Sequence, residues 1–403
     1  MTSPVDTTVK YFSSDMVGAP VLNGQVGSLV GLLDACLVNG FGSKTLTGLT
    51  VSGGVATAAF SGTFPGIEHC VIEVAGVTGS LTALNGEQKI TAVGSGTVSF
   101  ATAAADGTAA GTITIKMAPV GWAIAFTGTN LRAYRSNDVT SNRRYLRVND
   151  TAAQNARVVG YETMTAISTG TNLFPTNAQL SGGGYWAKSF ITNTEPVPWM
   201  LFGDGKRFSI WIGAAAAASY SGGTNDVLTG RVFGDIQPWK STADAYNTLL
   251  MAANAADTMV PSMSLTNFGG HTGFVFARLH TNVAGAVQAS IVPMMQASGN
   301  DSGVETSMGM LDAISNQLIL TQPLLGANVP AYGPRGAMTE LFHVSGGVPA
   351  AWTGLTKGSI VNGSGPAAGR KLVVVPGSAS QATSVQGVMR MVTLMDVTGP
   401  WAY

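Results

Sequence analysis

Residues 196–250 read PVPWMLFGDGKRFSIWIGAAAAASYSGGTNDVLTGRVFGDIQPWKSTADAYNTLL, and this stretch decides the fold. Two apolar, β-prone runs, 199–202 and 208–213, flank the tetrapeptide GDGK at 203–206. Asp-Gly between two such runs is a strong local signal for a β-hairpin. A third run, 231–236, predicts a further strand. The stretch contains no nucleophile beside a base and no cluster of metal ligands, so it predicts sheet and contact surface rather than chemistry.

The composition is poor in charge. Charged residues make up 10% of the 403 residues, against roughly 25% in an ordinary globular protein. Glycine accounts for 52 positions, and the net charge is zero. We expect a surface of Thr, Ser, Asn and Gly that is partly covered by other chains. The length predicts two to three domains.

Several functional classes are disfavoured by these numbers. A nucleic-acid binder normally shows a basic excess, which this chain lacks. No apolar run reaches the ~20 residues that span a bilayer, so we expect no membrane insertion. The N-terminus lacks the basic and apolar regions of a signal peptide. We therefore expect synthesis in a cytoplasm without export by the general pathway.

Outward from the hairpin, the chain predicts a mainly β fold built of several short-stranded, sandwich- or barrel-like modules. We predict a central β-domain at 119–330, an inserted small β-module at 45–118 and a C-terminal β segment at 331–403 that packs on the central domain. Within these, strands include 370–375, and Gly53-Gly54 is a predicted hairpin turn. The stretch 243–256 is expected to form a short helix.

Residues 1–44 are predicted to form an N-terminal arm and one amphipathic helix. Apolar residues recur every three or four positions over 24–38, which is typical of a helix with one buried face. Asn39-Gly40 supplies its C-terminal stop. The arm, residues 1–23, either crosses a neighbouring subunit or is a flexible terminus.

Arginines are concentrated in residues 121–150, in a chain with few charges: Arg132, Arg135, Arg143, Arg144 and Arg147. One interpretation is contact with phosphate or polysaccharide. The other is that they pair with Asp138, Asp150 and Glu162 or dock a neighbouring subunit, to which arginine forks are well suited. We predict these five residues as a partner contact and leave protein and glycan open.

We predict no catalytic, cofactor-binding or metal-binding residues. His271 and His280 are nine residues apart, which is no recognised metal spacing. Asp204 and Asp235 could act as paired carboxylates of a glycoside hydrolase, but an Asp after Gly is more often a turn residue. Cys36 and Cys70 are expected to be free, buried thiols. The tryptophans are expected in the core, with sugar stacking as the alternative for four of them: Trp186, Trp199, Trp211 and Trp239.

Short blocks at both ends and in the middle of the chain resemble virion structural proteins of tailed bacteriophages and prophages. They are SPVD at 3–6, GAP at 18–20, GLLDACLVNGFG at 31–42, LNGEQ at 84–88, TAV at 91–93, GTIT at 111–114, FGDI at 233–236, DAYNT at 244–248 and DVTGPW at 396–401.

This resemblance implies a non-enzymatic virion component assembled in the host cytoplasm. The implied role is a tail or baseplate protein that forms a trimer or hexamer with copies of itself, contacts other virion proteins and connects to or supports host-recognition fibres. A capsid decoration protein and a receptor- or carbohydrate-binding tail protein, with a host surface glycan as partner, are the alternatives; a depolymerase is disfavoured. No catalytic residue or cofactor carries over.

Overall fold

A computed structural model describes the chain over these residues: 3–189, 191–213, 228–239, 244–253, 256, 272–278, 285, 287–292, 310–311, 318–319, 322, 324–327, 334–344, 355–377 and 391–403. The predictions for His271 and His280 lie outside the described residues. Within them the chain is mainly β, which confirms the predicted fold class.

The helical segments are short: α1 (Ser28–Leu33), a π-helix (Asp34–Asn39) and 3-10 helices at Gly79–Leu84 and Gly365–Ala367. The strands are β1 (Lys10–Ser13), β2 (Phe41–Ser52), β3 (Val55–Phe60), β4 (Val71–Ala75), β5 (Gly86–Gly94), β6 (Thr97–Ala101), β7 (Gly107–Thr108), β8 (Thr114–Met117), β9 (Trp122–Gly128), β10 (Leu131–Ser136), β11 (Tyr145–Asn149), β12 (Asn155–Ala166), β13 (Thr169–Phe174), β14 (Gly184–Ala187), β15 (Trp199–Gly203), β16 (Arg207–Gly213), β17 (Leu228–Asp235), β18 (Gln237–Pro238), β19 (Thr248–Ala253), β20 (Thr272–Phe276), β21 (Val287–Val292), β22 (Met310–Leu311), β23 (Leu318–Ile319), β24 (Leu324–Ala327), β25 (Pro334–Ala337), β26 (Leu341–Val344), β27 (Ile360–Asn362), β28 (Lys371–Gly377) and β29 (Met391–Asp396).

The hairpin predicted at GDGK is confirmed. Strands β15 and β16 pair antiparallel, and β17 continues the sheet beside β16. The Asp204 carboxylate holds the turn by accepting hydrogen bonds from the backbone N–H groups of Lys206 and Arg207, at 2.8 and 2.9 Å. Gly234 is required opposite this turn, because a Cβ there would lie 2.3 Å from the carbonyl oxygen of Lys206.

The N-terminal arm belongs to this sheet. Strand β1 pairs antiparallel with β15, the free edge of the hairpin, and its four residues are buried. The Tyr11 ring stacks on the Phe202 ring with centroids 5.0 Å apart. For residues 10–13 both expectations, a crossing to a neighbour and a flexible terminus, are therefore wrong, because the chain's own edge strand satisfies their backbone hydrogen bonds.

Strand β19 joins the parts of the large sheet. It pairs with β20 along one edge and with β17 and β14 along the other. The helix expected at 243–256 is therefore wrong: all six residues of β19 are buried in extended conformation. A strand covered on both faces reads as a continuous apolar run, which periodicity cannot distinguish from a buried helix.

The core of this sheet is aromatic. The Trp122 ring meets the edges of Phe208 and Phe233 at centroid distances of 5.2 and 5.9 Å. Trp186 meets Phe208 at 6.1 Å and donates its indole N–H to the carbonyl oxygen of Met251 at 2.7 Å. The Trp186 ring thus packs its apolar surface in the core while its indole nitrogen has a hydrogen-bond partner.

Residues 41–117 form a second, smaller sheet that closes on itself in the order β2-β3-β6-β5-β4-β8-β2. The predicted turn at Gly53-Gly54 is confirmed, because it connects β2 and β3. Alternate side chains fill the interior of the ring, among them Leu49, Phe100 and Ile115. The ring is tied to the last residues of the chain by the Lys89 ammonium, which donates to the carbonyl oxygens of Val397 and Thr398.

Near the C-terminus, β26, β29, β28 and β27 form a four-stranded antiparallel sheet. The strand predicted at 370–375 is confirmed as β28 (Lys371–Gly377), where 372–375 are fully buried.

The amphipathic helix predicted over 24–38 is shorter than expected. α1 begins at Ser28 and widens into the π-helix, which ends at Gly40 with a positive φ of 72°. Asp150 caps its first turn, since one carboxylate oxygen accepts from the N–H groups of Leu29 and Val30 at 2.8 and 3.1 Å. The other oxygen pairs with the Lys188 ammonium, and both side chains are fully buried. Burial raises the pKa of the Asp150 carboxyl, and Lys188 opposes that shift.

The buried pair makes a first prediction. Lys188→Met leaves the Asp150 carboxylate buried without its cation, which costs about 3–5 kcal/mol of unfolding free energy. Urea unfolding followed by tryptophan fluorescence measures the loss. The control is Lys116→Met, whose pair with Glu73 is partly exposed to solvent and is worth at most about 1 kcal/mol. Equal unfolding midpoints for the two variants would contradict the role assigned to Asp150.

The cysteines make a second prediction. Cys36 and Cys70 are free and buried, as expected. Burial raises the pKa of Cys70 to about 12 and that of Cys36 well above its usual range. Because the thiolate is the reactive form, iodoacetamide at about pH 8 should leave the native protein unlabelled and add two groups per chain after denaturation. Intact mass spectrometry measures the number of groups added per chain. Rapid labelling of the native protein would contradict this prediction.

Candidate functional site

The candidate site is one face of the hairpin formed by β10 and β11. Arg135 is paired with Tyr145, and Ala133 with Arg147, across the two strands. Directly paired residues point to the same side of a sheet, so both arginines and Tyr145 share one face. Ala133 belongs to a small buried cluster beneath them, against which Tyr145 packs.

Three arginines of this region are fixed by the same kind of contact. The Nε atom of Arg135 donates to the carbonyl oxygen of Arg143 at 3.1 Å, that of Arg143 to Ser136 at 3.2 Å, and that of Arg147 to Ile167 at 2.9 Å. Among the described residues their terminal Nη atoms have no carboxylate or other hydrogen-bond partner. We call Arg135, Arg143, Arg147 and Tyr145 the arginine face.

An aromatic ring supports this face. The Arg135 guanidinium lies over the Tyr145 ring, 4.9 Å from its centroid. A cation above an aromatic ring is attracted by the ring's negative face, and the contact also fixes the plane of the guanidinium. The three side chains are therefore held in position while their outer nitrogens remain free to donate.

The other two predicted arginines lie elsewhere. Arg132 is on the opposite side of β10 and pairs with Asp34 at 3.0 Å. Arg144 donates to the carbonyl oxygen of Ala245 at 2.9 Å and lies 5.3 Å from the centroid of the Tyr246 ring. Of the five predicted residues, Arg135 and Arg147 thus share one face of the hairpin, and Arg143 lies just before β11 with its carbonyl oxygen bound to Arg135. The other two hold internal contacts.

The carboxylates expected as their partners have other hydrogen-bond or ion-pair partners. Asp150 pairs with Lys188, and Glu162 pairs with Arg278. Asp138 accepts from the backbone and hydroxyl of Thr140 in a local turn, at 2.8 and 2.7 Å. Among the described residues these three acids therefore form no direct ion pair with the five arginines, because their positions in the fold bring them to different partners.

Arg157 was missed by the sequence analysis because it lies outside the 121–150 window. It pairs with Asn149 of β11, and its guanidinium stacks 3.8 Å from the centroid of the Tyr185 ring. Its Nη atoms donate to the Tyr185 hydroxyl at 2.8 Å and to the carbonyl oxygen of Gly183 at 2.6 Å. This arginine therefore continues the row, but its Nη atoms already have partners within the chain.

The carboxylates considered as a catalytic pair have structural partners. Besides its turn contacts, Asp204 accepts from the Tyr403 hydroxyl at 2.8 and 2.9 Å. Asp235 accepts from the Asn142 N–H at 2.6 Å and the Thr248 hydroxyl at 2.5 Å. Turn chemistry is confirmed for Asp204. Burial raises the pKa of the Asp235 carboxyl.

Between these two carboxylates lies the fully buried Arg207. It forms a two-pronged ion pair with Glu340 and donates to the carbonyl oxygen of Asp235. The Tyr403 and Trp401 rings lie 5.0 and 5.6 Å from its guanidinium. This cluster clamps residues 401–403 onto the hairpin.

Three of the four tryptophans considered for sugar stacking are in the core, as expected: Trp186, Trp199 and Trp211 are at most 1% exposed. Trp239, by contrast, is 60% exposed.

In the described ranges, no three His, Cys, Asp or Glu residues are grouped so that they could hold a metal ion. None of the helices described is long and apolar enough to cross a bilayer. No protein-family model matches the chain, and no curated protein matches it. Over the described residues, the fold is mainly β and carries an arginine face whose Nη atoms have no partner there.

The Arg207 clamp makes a third prediction. Glu340→Gln removes the partner of a fully buried guanidinium and should cost about 3–5 kcal/mol of unfolding free energy. Tyr403→Phe keeps that ion pair and removes one hydrogen bond to Asp204, so its cost should be about 1–3 kcal/mol. Chemical denaturation of both variants measures the order. A Glu340→Gln protein as stable as the wild type would contradict the clamp.

Proposed function

We propose that this protein is a non-enzymatic structural component of a tailed-phage virion. In this proposal it is a tail or baseplate protein that forms a trimer or hexamer and connects to or supports host-recognition fibres. The sequence blocks that resemble tailed-phage virion proteins point to the particle, and the surface of the folded chain supports the oligomer.

The observation that carries the proposal is how the chain places its ions. Over the described residues, the charged side chains that are mainly exposed are three carboxylates, Asp15, Glu68 and Asp106, whereas every lysine and arginine is buried or partly covered. Exposed positions are occupied instead by Thr, Ser, Gly, Ala and Asn. Little charge repulsion separates such surfaces, so copies pack together readily.

The N-terminal segment offers a place for such contacts. Val17, Val21 and Val26 are 54%, 54% and 47% exposed, and they fall within ten residues of each other. Scattered exposed apolar residues are ordinary, but several in one short segment favour an interface. Apolar side chains of this kind are typical of the cores of permanent homo-oligomer interfaces.

The oligomer makes a fourth prediction. Size-exclusion chromatography with light scattering should give the mass of three or six chains for the wild type. The double substitution Val17→Lys and Val21→Lys places charge in the proposed interface and should reduce that mass. Val139→Lys is the matched control, because Val139 is 79% exposed on a turn that is remote in sequence from this segment.

A wild-type protein that stays monomeric at the highest soluble concentration would overturn the proposed oligomer. An oligomer that the Val17 and Val21 substitutions leave intact would keep the oligomer and remove this segment from its interface.

A further inference from the structure

We propose that the arginine face binds an acidic polysaccharide, whose carboxylate groups accept hydrogen bonds from the Nη atoms of Arg135, Arg143 and Arg147. Binding of an acidic polysaccharide goes beyond the proposed role as a structural virion protein. Only the biological setting, a host surface met by the particle, rests on it.

These three arginines differ from several others that the structure describes, because they have no carboxylate partner among the described residues. Several guanidiniums meet a carboxylate of the same chain: Arg132 with Asp34, Arg207 with Glu340, Arg278 with Glu162, Arg335 with Asp244 and Arg370 with Asp396. On the arginine face each guanidinium is held by a neutral carbonyl instead. Three positive charges therefore remain without a described counter-charge.

This arrangement suits an oxyanion. A guanidinium presents parallel N–H groups that match the two oxygens of a carboxylate, and such charge-assisted bonds are about twice as strong as neutral ones. Because the Nε contacts and the Tyr145 ring already fix the side chains, a ligand need not order them on binding.

The anion that binds these three arginines is better supplied by a separate ligand than by a carboxylate of a second copy of this chain. Of the mainly exposed carboxylates described, Asp15 pairs with Lys357 at 3.0 Å, and Asp106 accepts from the Gly53 N–H at 2.9 Å. Glu68 lies 3.6 Å from the His69 ring nitrogen. Within the part of the chain that the structure describes, a second copy therefore offers few free carboxylates to these three guanidiniums.

A sugar chain fits better than a nucleic acid. The protein has no basic excess, whereas proteins that bind nucleic-acid backbones normally have one. Tyr145 and Phe126, whose rings lie 6.2 Å apart, are partly exposed beside the guanidiniums. These rings offer apolar contact to the faces of sugar rings while the arginines bind the acidic groups.

The test is isothermal titration of the full chain with oligogalacturonate, with neutral dextran as the uncharged comparison. The wild type should bind oligogalacturonate, with affinity that falls as salt is raised. Arg135→Gln with Arg147→Gln should weaken binding by about tenfold or more, since two charge-assisted contacts are lost. The single substitution Arg143→Gln should weaken oligogalacturonate binding less than the double substitution. This variant replaces the double variant in the test if the double variant does not fold.

The matched control is Lys44→Gln, which removes a partly exposed cation of the small ring and should leave affinity unchanged. Failure of the wild type to bind oligogalacturonate would overturn the proposal, and so would equal binding of dextran. Equal losses in Lys44→Gln and in the double variant would also overturn it, because they indicate general charge attraction.

If the double variant loses its oligomeric mass while the wild type binds no sugar, the face is an interface between copies. That outcome refutes the sugar proposal and leaves the proposed structural function standing.

Discussion

The placement of a small number of ions governs this structure. Ions are scarce, and many are used inside the fold, where each must be satisfied because an unpaired buried charge is very costly. Asp150 with Lys188 holds α1 against the large sheet, and Arg207 with Glu340 holds the last residues against the central hairpin. What remains outside is a largely uncharged surface of small polar residues.

The same constraint makes the arginine face conspicuous. The chain neutralises several guanidiniums with its own carboxylates, whereas Arg135, Arg143 and Arg147 are oriented by backbone carbonyls and, for Arg135, a tyrosine ring. Their outer donors have no partner among the residues that the structure describes. Fixing a cation without neutralising it provides a preorganised position for an anion. The fold supplies this position through strand register, since β10 and β11 bring residues ten or more positions apart side by side.

Local signals predicted local structure well. The Asp-Gly turn with its flanking runs predicted the central hairpin, and the apolar run after Arg370 predicted β28. Long-range pairing could not be predicted in the same way. Nothing in residues 10–13 indicates β15 as their partner, and the buried run at 248–253 reads equally as helix or strand until its neighbours are known.

The candidate site could be predicted only in part, again because the sequence does not reveal which strands pair. Clustering in the sequence identified five arginines. Side chains alternate along β10 and β11, so Arg132 lies on one side of the hairpin and Arg135 and Arg147 lie on the other. This division depends on the strand register. We propose that this neutral surface belongs to an assembled particle. The most direct test is quantitative mass spectrometry of particles purified from host cells that carry this coding sequence. We expect three or six copies, or a small multiple, in each particle; particles that lack the chain would contradict this proposal.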